Sequence, residues 1–375
     1  MKKIIGTNTI GYNQKRNFVN LPFEKYQFEK KQNLNKIPAY LYAKLTKKTH
    51  QYYWNAYKDF DLQNVELFHF FNAISYGKTP WITTFETSIP RWGNKKSLEG
   101  LKLIDSKSCK KIIAMSSCSA NIQKKFIQNN FPEFSDMIDE KLIVLHPPQK
   151  CPPLKSINKN FEDRLIFTIV GSDFFRKGGM EILIAFDRLF KKGITDWQLN
   201  IVSKMQYGDY ASKTTTRDLE KAYKIISKYP NHIVHEYSLP NSKVLELFKK
   251  THVGLLPTYA DTFGYSVLEA QSYCCPVIST DIRALPEINN SDIGWVINVK
   301  KNELGNAILD TEKSRANFSN VLFNGLEKVL TEIFNDSTII KNMGIECYRR
   351  VENSIELNTR TLEKIYDKIT TSNNT

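Results

Sequence analysis

The sequence predicts an α/β chain of two domains, each a mostly parallel sheet with helical crossovers, and three observations carry the prediction. At 375 residues with 41% hydrophobic side chains, the chain is too long for one ordinary core and apolar enough to fill two. Short apolar runs of strand length alternate with stretches of helical spacing along most of the chain, the order that produces parallel sheets. A proline-rich run at 147–155, with Pro152-Pro153 inside it, interrupts that alternation and reads as a linker. Domains are therefore expected at 1–150 and 164–353, joined by 151–163, with the stretch after Asn353 helical.

In the first half, residues 2–5 form a strand ended by Gly6, and 7–35, rich in Asn, Gln, Lys and aromatics without clean periodicity, is expected to be a long loop at the rim of a site. Residues 38–58 read as helical, with tyrosines and Trp54 on the surface or in a groove. Buried strands follow at 65–70 and 81–85, joined by a loop holding Gly77 and Pro80. Further strands at 111–115 and 141–145 flank a helix at 119–129, and His146-Pro147-Pro148 stops the last of them. His69, inside an apolar strand, reads as a satisfied core residue rather than a ligand.

In the second half, a strand at 165–170 leads through Gly171-Ser172 to Phe174-Phe175-Arg176-Lys177-Gly178-Gly179 and an amphipathic helix at 180–190. A strand, then glycines, then two cations at a helix start suits a diphosphate, the alternative being a solvated basic turn. Units follow with strands at 198–202 and 233–236 and helices at 219–228 and 242–250. The stretch 251–288 is a strand, a loop, Gly264, a helix at 265–273 and a second strand at 276–280. Asp261 and Glu269 bracket that turn with seven residues between them, one before the helix and one about a turn and a half into it, so both can face a ligand whose phosphate rests on the helix amides. The alternative is an ordinary βαβ segment with two solvated acids. A last strand at 295–299 precedes a helical region of mixed charge at 322–370.

That acid pair, with Phe263-Gly264 inside it and Glu269-Ala270 closing it, resembles the nucleotide-sugar site of the retaining glycosyltransferases of family 4, whose fold is GT-B. The strand followed by Gly171 and Arg176-Lys177-Gly178 is similar to the same family's basic segment. The resemblance covers the second domain well and the first loosely. This chain departs from the family pattern in having Asp261 for the first Glu, Cys274 where a Gly is usual, Ser203-Lys204-Met205 in place of a Gly-rich turn, and Glu86 where a His is usual. The resemblance implies two Rossmann-like domains facing each other across a cleft, with the final helix, 354–375, returning to the first. It implies a nucleoside-diphosphate sugar as donor, transfer with retention of configuration, and no metal or other cofactor. Arg176 and Lys177 would neutralise the leaving diphosphate, helped by the amides of Gly264, Tyr265 and Ser266, with Gly171 and Phe263 beside it. Glu269 would hold the ribose hydroxyls and Asp261 the sugar. In the first domain Glu86 would accept a proton or cap a loop, and Gly11 and Arg91 would stand on the acceptor side. Asp59-Phe60-Asp61 matches the D-x-D metal mark of the other large glycosyltransferase fold, but no matching strand order surrounds it.

Composition bounds the setting. Six cysteines without CxxC or metal-ligand spacing read as reduced, mostly buried thiols. No apolar run approaches the ~20 residues of a spanning helix, which gives an expectation of a cytoplasmic protein, peripheral to the membrane at most. The net charge of +14 is uneven: residues 1–150 hold 24 Lys and Arg against 12 Asp and Glu, the remainder 29 against 27. A basic first domain suits a glycan or lipid-linked acceptor at an anionic membrane face, as in cell-surface polysaccharide or glycolipid synthesis, better than nucleic acid; the alternative is a Lys- and Asn-rich composition of no functional meaning. A second class of function is a catalytically degenerate scaffold serving as a nucleotide-sugar or nucleic-acid binding module.

Overall fold

The computed structural model describes residues 2–48, 50–58, 61, 64–93 and 96–371. The chain forms two units, one of residues up to Pro148 together with the last helix, Ser354–Thr371, the other of Gln149–Asn353. Each contains a six-stranded, wholly parallel sheet, so the α/β class read from the sequence is the one observed.

In the first unit the strands are β1 (Lys3–Thr7), β2 (Tyr26–Lys30), β4 (Leu67–Phe71), β6 (Trp81–Phe85), β7 (Cys109–Ala114) and β8 (Leu142–Val144), in the order β2-β1-β4-β6-β7-β8. A small parallel pair, β3 (Ala56–Tyr57) with β5 (Ile74–Ser75), lies outside that sheet. Every residue of β4 and β6 is buried, as befits central strands covered on both faces, with His69, Thr83 and Thr84 the polar residues among otherwise apolar side chains.

Two expectations fail here. The segment 7–35 is not a loop throughout: it contains the helical turns Tyr12–Gln14 and Lys15–Val19 and the edge strand β2, paired along its length with β1. An edge strand is half exposed, and Tyr-Gln-Phe-Glu-Lys shows no apolar run to announce it. What orders the segment is distant in sequence. Phe18 stacks on His69 at 3.8 Å, and Tyr26 meets Tyr366 of the last helix edge-on at 5.2 Å. The stretch 38–58 likewise breaks into helices Lys36–Thr46 and Gln51–Asn55 followed by β3; Trp54 is exposed as expected, but Tyr52 and Tyr57 are buried. His69 is a core residue: its ring nitrogens bond the Tyr366 hydroxyl at 2.7 Å and the Thr84 hydroxyl at 2.9 Å, and burial pulls its pKa down to about 3.

In the second unit the strands are β9 (Leu165–Val170), β10 (Trp197–Val202), β11 (Ile233–Glu236), β12 (Val253–Leu256), β13 (Val277–Thr280) and β14 (Gly294–Ile297), ordered β11-β10-β9-β12-β13-β14. Helix Gly179–Lys191 lays Ile182, Leu183, Phe186 and Leu189 against the sheet, with Phe186 packed on Phe167 of β9 and Trp197 of β10 at 5.1 and 4.8 Å. Three long helices, Glu312–Asn335, Thr338–Glu352 and Ser354–Thr371, occupy the region expected to be helical. Of the cysteines, Cys109, Cys275 and Cys347 are buried and the other three half-buried, fewer buried than expected. Among the described residues no helix is long and apolar enough to cross a membrane.

Candidate functional site

The strand order of the second unit fixes where a ligand can sit. From β9 the chain moves outward to β10 and β11, then returns to lay β12 on the other side of β9. Loops leaving the carboxyl ends of β9 and β12 therefore diverge, and such switch points are where open parallel sheets leave a crevice. The loop after β9 carries Gly171, Arg176 and Lys177; the loop after β12 carries Asp261, Phe263 and Gly264.

Two glycines shape this arrangement, one within the basic loop and one where the two loops meet. A Cβ at Gly171 would come within 2.2 Å of Cε of Lys177, so the lysine stem runs across the bare backbone there. A Cβ at Gly178, whose φ is +79°, would sit 2.1 Å from the carbonyl oxygen of Pro257, so the basic loop lies directly on the backbone of the acidic one. Arg176 is fixed by Asp173, which accepts from the Arg176 Nε at 2.8 Å and from its amide at 3.2 Å, and by a bond from Nη1 to the Ala260 carbonyl. Its own carbonyl accepts from the Tyr259 amide at 2.8 Å and the Thr258 hydroxyl at 3.0 Å.

The result is a cluster of opposite charges. Lys177 Nζ lies 3.1 Å and Arg176 Nη1 4.0 Å from Oδ2 of Asp261, with all three side chains at most one-fifth exposed. Burial alone would raise the Asp261 pKa; the charge and hydrogen bond of Lys177, then the charge of Arg176 and the Phe263 amide, outweigh it and hold the carboxyl below its ordinary value. The carboxylate is thus ionised at neutral pH, and the two cations are held at one spot with their charge partly offset.

Glu269 lies on the short helix Tyr265–Gln271, which Gly264 begins. It is buried, its Oε1 accepts from Nδ2 of Asn241 at 3.0 Å, and it stands outside the lining of the cavity that Arg176 and Asp261 share. The Ser266 hydroxyl, in the first turn of that helix, is buried without a hydrogen-bond partner among the described residues. Arg176, Lys177 and Asp261 are brought together, then, while Glu269 belongs to the adjoining helix face.

In the first unit, the sequence singled out Glu86 and Arg91 separately, and the structure pairs them. Arg91 Nη1 donates to Glu86 Oε1 at 2.6 Å, Asn72 donates to the same oxygen at 3.3 Å, and the Glu86 amide donates to Asn72 Oδ1 at 3.2 Å. Gly11 precedes the turn Tyr12–Gln14, its amide donating to Oε1 of Gln14 at 3.2 Å. Asp59 and Phe60 of the D-x-D triplet lie outside the described residues, and Asp61 accepts from the Lys78 amide at 2.7 Å.

The cavity holding Arg176 and Asp261 has a volume of about 670 Å³ and is also lined by Tyr210, Tyr259, Arg283 and Asn306, none of which the sequence singled out. Asp173 was missed too, although an acid three residues before an arginine in a turn is a readable signal for such a bond. Tyr259 donates to Oε1 of Glu181 at 2.6 Å, as does Ser319 at 2.6 Å, while Oε2 of Glu181 is buried without a partner among the described residues and burial raises that carboxyl's pKa.

Comparison with known proteins agrees with this architecture. The curated capsular polysaccharide biosynthesis glycosyltransferase CapM of Staphylococcus aureus is 22% identical over 213 residues, 56% of this chain and 48% of CapM, so the chain spans about half the length of that relative. A glycosyltransferase from Rickettsia africae superposes with a TM-score of 0.57 at 16% identity, covering 98% of this chain and 90% of that one. HepE of Anabaena, solved in complex with UDP, superposes with a TM-score of 0.59 at 11% identity, covering 98% of this chain and 100% of that one. Both likenesses are of fold, the two-sheet α/β fold of GT-B glycosyltransferases. Residues 153–321, which contain Arg176, Lys177, Asp261 and Glu269, match the family described as Glycosyl transferases group 1.

Proposed function

We propose that the chain is a glycosyltransferase that moves a sugar, with retention of configuration, from a nucleoside-diphosphate sugar to a glycan or lipid-linked acceptor. The observation that carries this reading is the cluster of Arg176, Lys177 and Asp261 at the switch point of the second sheet. Support comes from the group 1 family match over the same residues, from CapM, and from the UDP bound to HepE.

When the sugar–phosphate bond breaks, negative charge grows on the diphosphate. Two cations already fixed by Asp173, Ala260 and Asp261 meet it without reorganising, and such preorganised donors are the usual main term, one of them accounting for ~3–4 kcal/mol or 10²–10³ in rate. Asp261, ionised and between the cations, is placed to accept from sugar hydroxyls. Glu269, oriented by Asn241, takes the ribose hydroxyls in this reading. The charge stabilisation comes from fixed side chains and helix amides, and no metal ion is invoked. Glu86, paired with Arg91, orders the acceptor-side loop.

The test is release of free nucleoside diphosphate from a panel of donors, with extracted glycans and lipid-linked sugars as acceptors. Turnover with at least one donor is expected, lost with Glu269→Ala and with the double variant Arg176→Ala, Lys177→Ala. Binding without turnover across all donors and acceptors would instead mark a nucleotide-sugar binding module.

A further inference from the structure

The cavity beside Asp261 contains a cation that the reading above does not use. Arg283, in the loop after β13, lines it together with Arg176, Tyr210, Tyr259 and Asn306. Asp261 is the one acid in that lining, and its carboxylate is engaged by Lys177 and Arg176. The acid nearest in sequence, Asp281, is taken by Lys301 and by the Val299 amide at 2.9 Å. Among the described residues the Arg283 guanidinium therefore has neither an ion-pair nor a hydrogen-bond partner, although it faces a cavity of about 670 Å³.

The backbone of Arg283 adds a second observation. Its φ is +51°, a left-handed conformation, with its amide donating to the carbonyl of Gly305 at 2.8 Å. Ala211, which also lines the cavity, has φ +59°. A side chain at such a φ costs stability that glycine would not, and strain of this kind collects where a ligand is gripped. The lining also includes aromatic and amide side chains of the kind that bind sugars. Tyr259 is held rigid by its bond to Glu181 and by packing on Phe318 at 4.6 Å, Tyr210 is 71% exposed, and Asn306 adds a polar side chain.

We propose that this cavity takes a sugar bearing an oxyanion, a carboxylate or a phosphate ester, and that Arg283 binds the anion. The inference rests on the glycosyltransferase reading for the sugar's part in the reaction, but anion recognition itself does not. A charged bond from a guanidinium to an oxyanion corresponds to a preference of about tenfold or more over the neutral sugar.

Calorimetric titrations of the full chain, with and without saturating UDP, would use matched probes: glucuronate against glucose, glucose 6-phosphate against glucose, and UDP-glucuronate against UDP-glucose. At least one anionic probe should bind about tenfold or more tightly than its neutral partner. The uronate arms identify a carboxylate, the phosphate arm a phosphate ester. In Arg283→Gly that preference should fall to about one, while the thermal midpoint stays equal or rises because the strained φ is relieved; Arg283→Lys should retain part of the preference. No preference in the wild type, or a preference that survives Arg283→Gly, overturns the proposal. An equal loss of affinity for UDP would place Arg283 on the diphosphate and overturn it too. Failure of UDP to bind the wild type, with the anionic preference present, would sink the donor reading and leave this one standing.

Discussion

Both units of this protein place a carboxylate beside an arginine at the carboxyl ends of central parallel strands, and the two pairs are built differently. In the second unit Asp261 meets Arg176 and Lys177 from a loop more than eighty positions earlier, and Gly178 lets the loops touch. In the first unit Glu86 meets Arg91 within one loop, five positions away, with Asn72 closing the arrangement. A pair drawn from two strands' loops at a switch point is pinned by the sheet itself, so its charges hold their places when a ligand arrives. A pair within one loop holds the loop. On the proposed function, ligand binding falls to the first kind and positioning to the second.

The sharpest way to break that distinction is to remove the cations on each side. Lys177→Ala should lower turnover by 10²–10³, and the double variant with Arg176→Ala by more, whereas Arg91→Ala should lower it less than tenfold while reducing the thermal midpoint. Equal losses in steady-state turnover would show that the two pairs do the same work.

A smaller effect probes what holds the first unit together. Tyr366→Phe removes the hydroxyl partner of the buried His69 Nδ1 and should cost ~1–3 kcal/mol, the penalty for stranding a buried polar group, read from urea unfolding. If the variant unfolds as the wild type does, the last helix is not tied to β4 through that bond.

Smaller again are two acid effects of opposite sign in the second unit. The folded pKa of Glu181 is raised, so wild-type stability falls as pH rises from its ordinary value of about 4.3 through the folded value. Glu181→Gln should therefore gain on the wild type with rising pH and match it under acid. The folded pKa of Asp261 is lowered, so its contribution is present above about 3.9 and is lost as pH falls through the folded value. Asp261→Asn should be less stable than wild type at neutral pH and converge with it below that range. Thermal melts from pH 3 to 8 separate the two; parallel profiles would mean that the ion pairs do not outweigh the burial of Asp261.

The contrast between the units also explains what the sequence disclosed. In the second unit the central strand at 165–170 is legible to the residue, because it is a nearly unbroken apolar run and Gly171 marks the turn that ends it. Arg176, Lys177 and Asp261 were legible as a group because each follows such a strand. The first unit yielded its central strands in the same way but hid β2, since an edge strand needs no apolar run and Phe18 and Tyr26 are ordered by His69 and Tyr366, far along the chain. Arg283 was illegible for another reason: its meaning lies in its left-handed backbone and in the acids nearby having other partners, neither of which leaves a local pattern.

The central claim is that the cluster at the end of β9 and β12 is a diphosphate site, and direct binding tests it most simply. Titrating UDP into the wild type and into the Arg176→Ala, Lys177→Ala double variant at fixed ionic strength should give saturable binding in the first and a loss of at least about a hundredfold in the second, consistent with two charged hydrogen-bond donors. Equal affinity in both proteins would contradict the account.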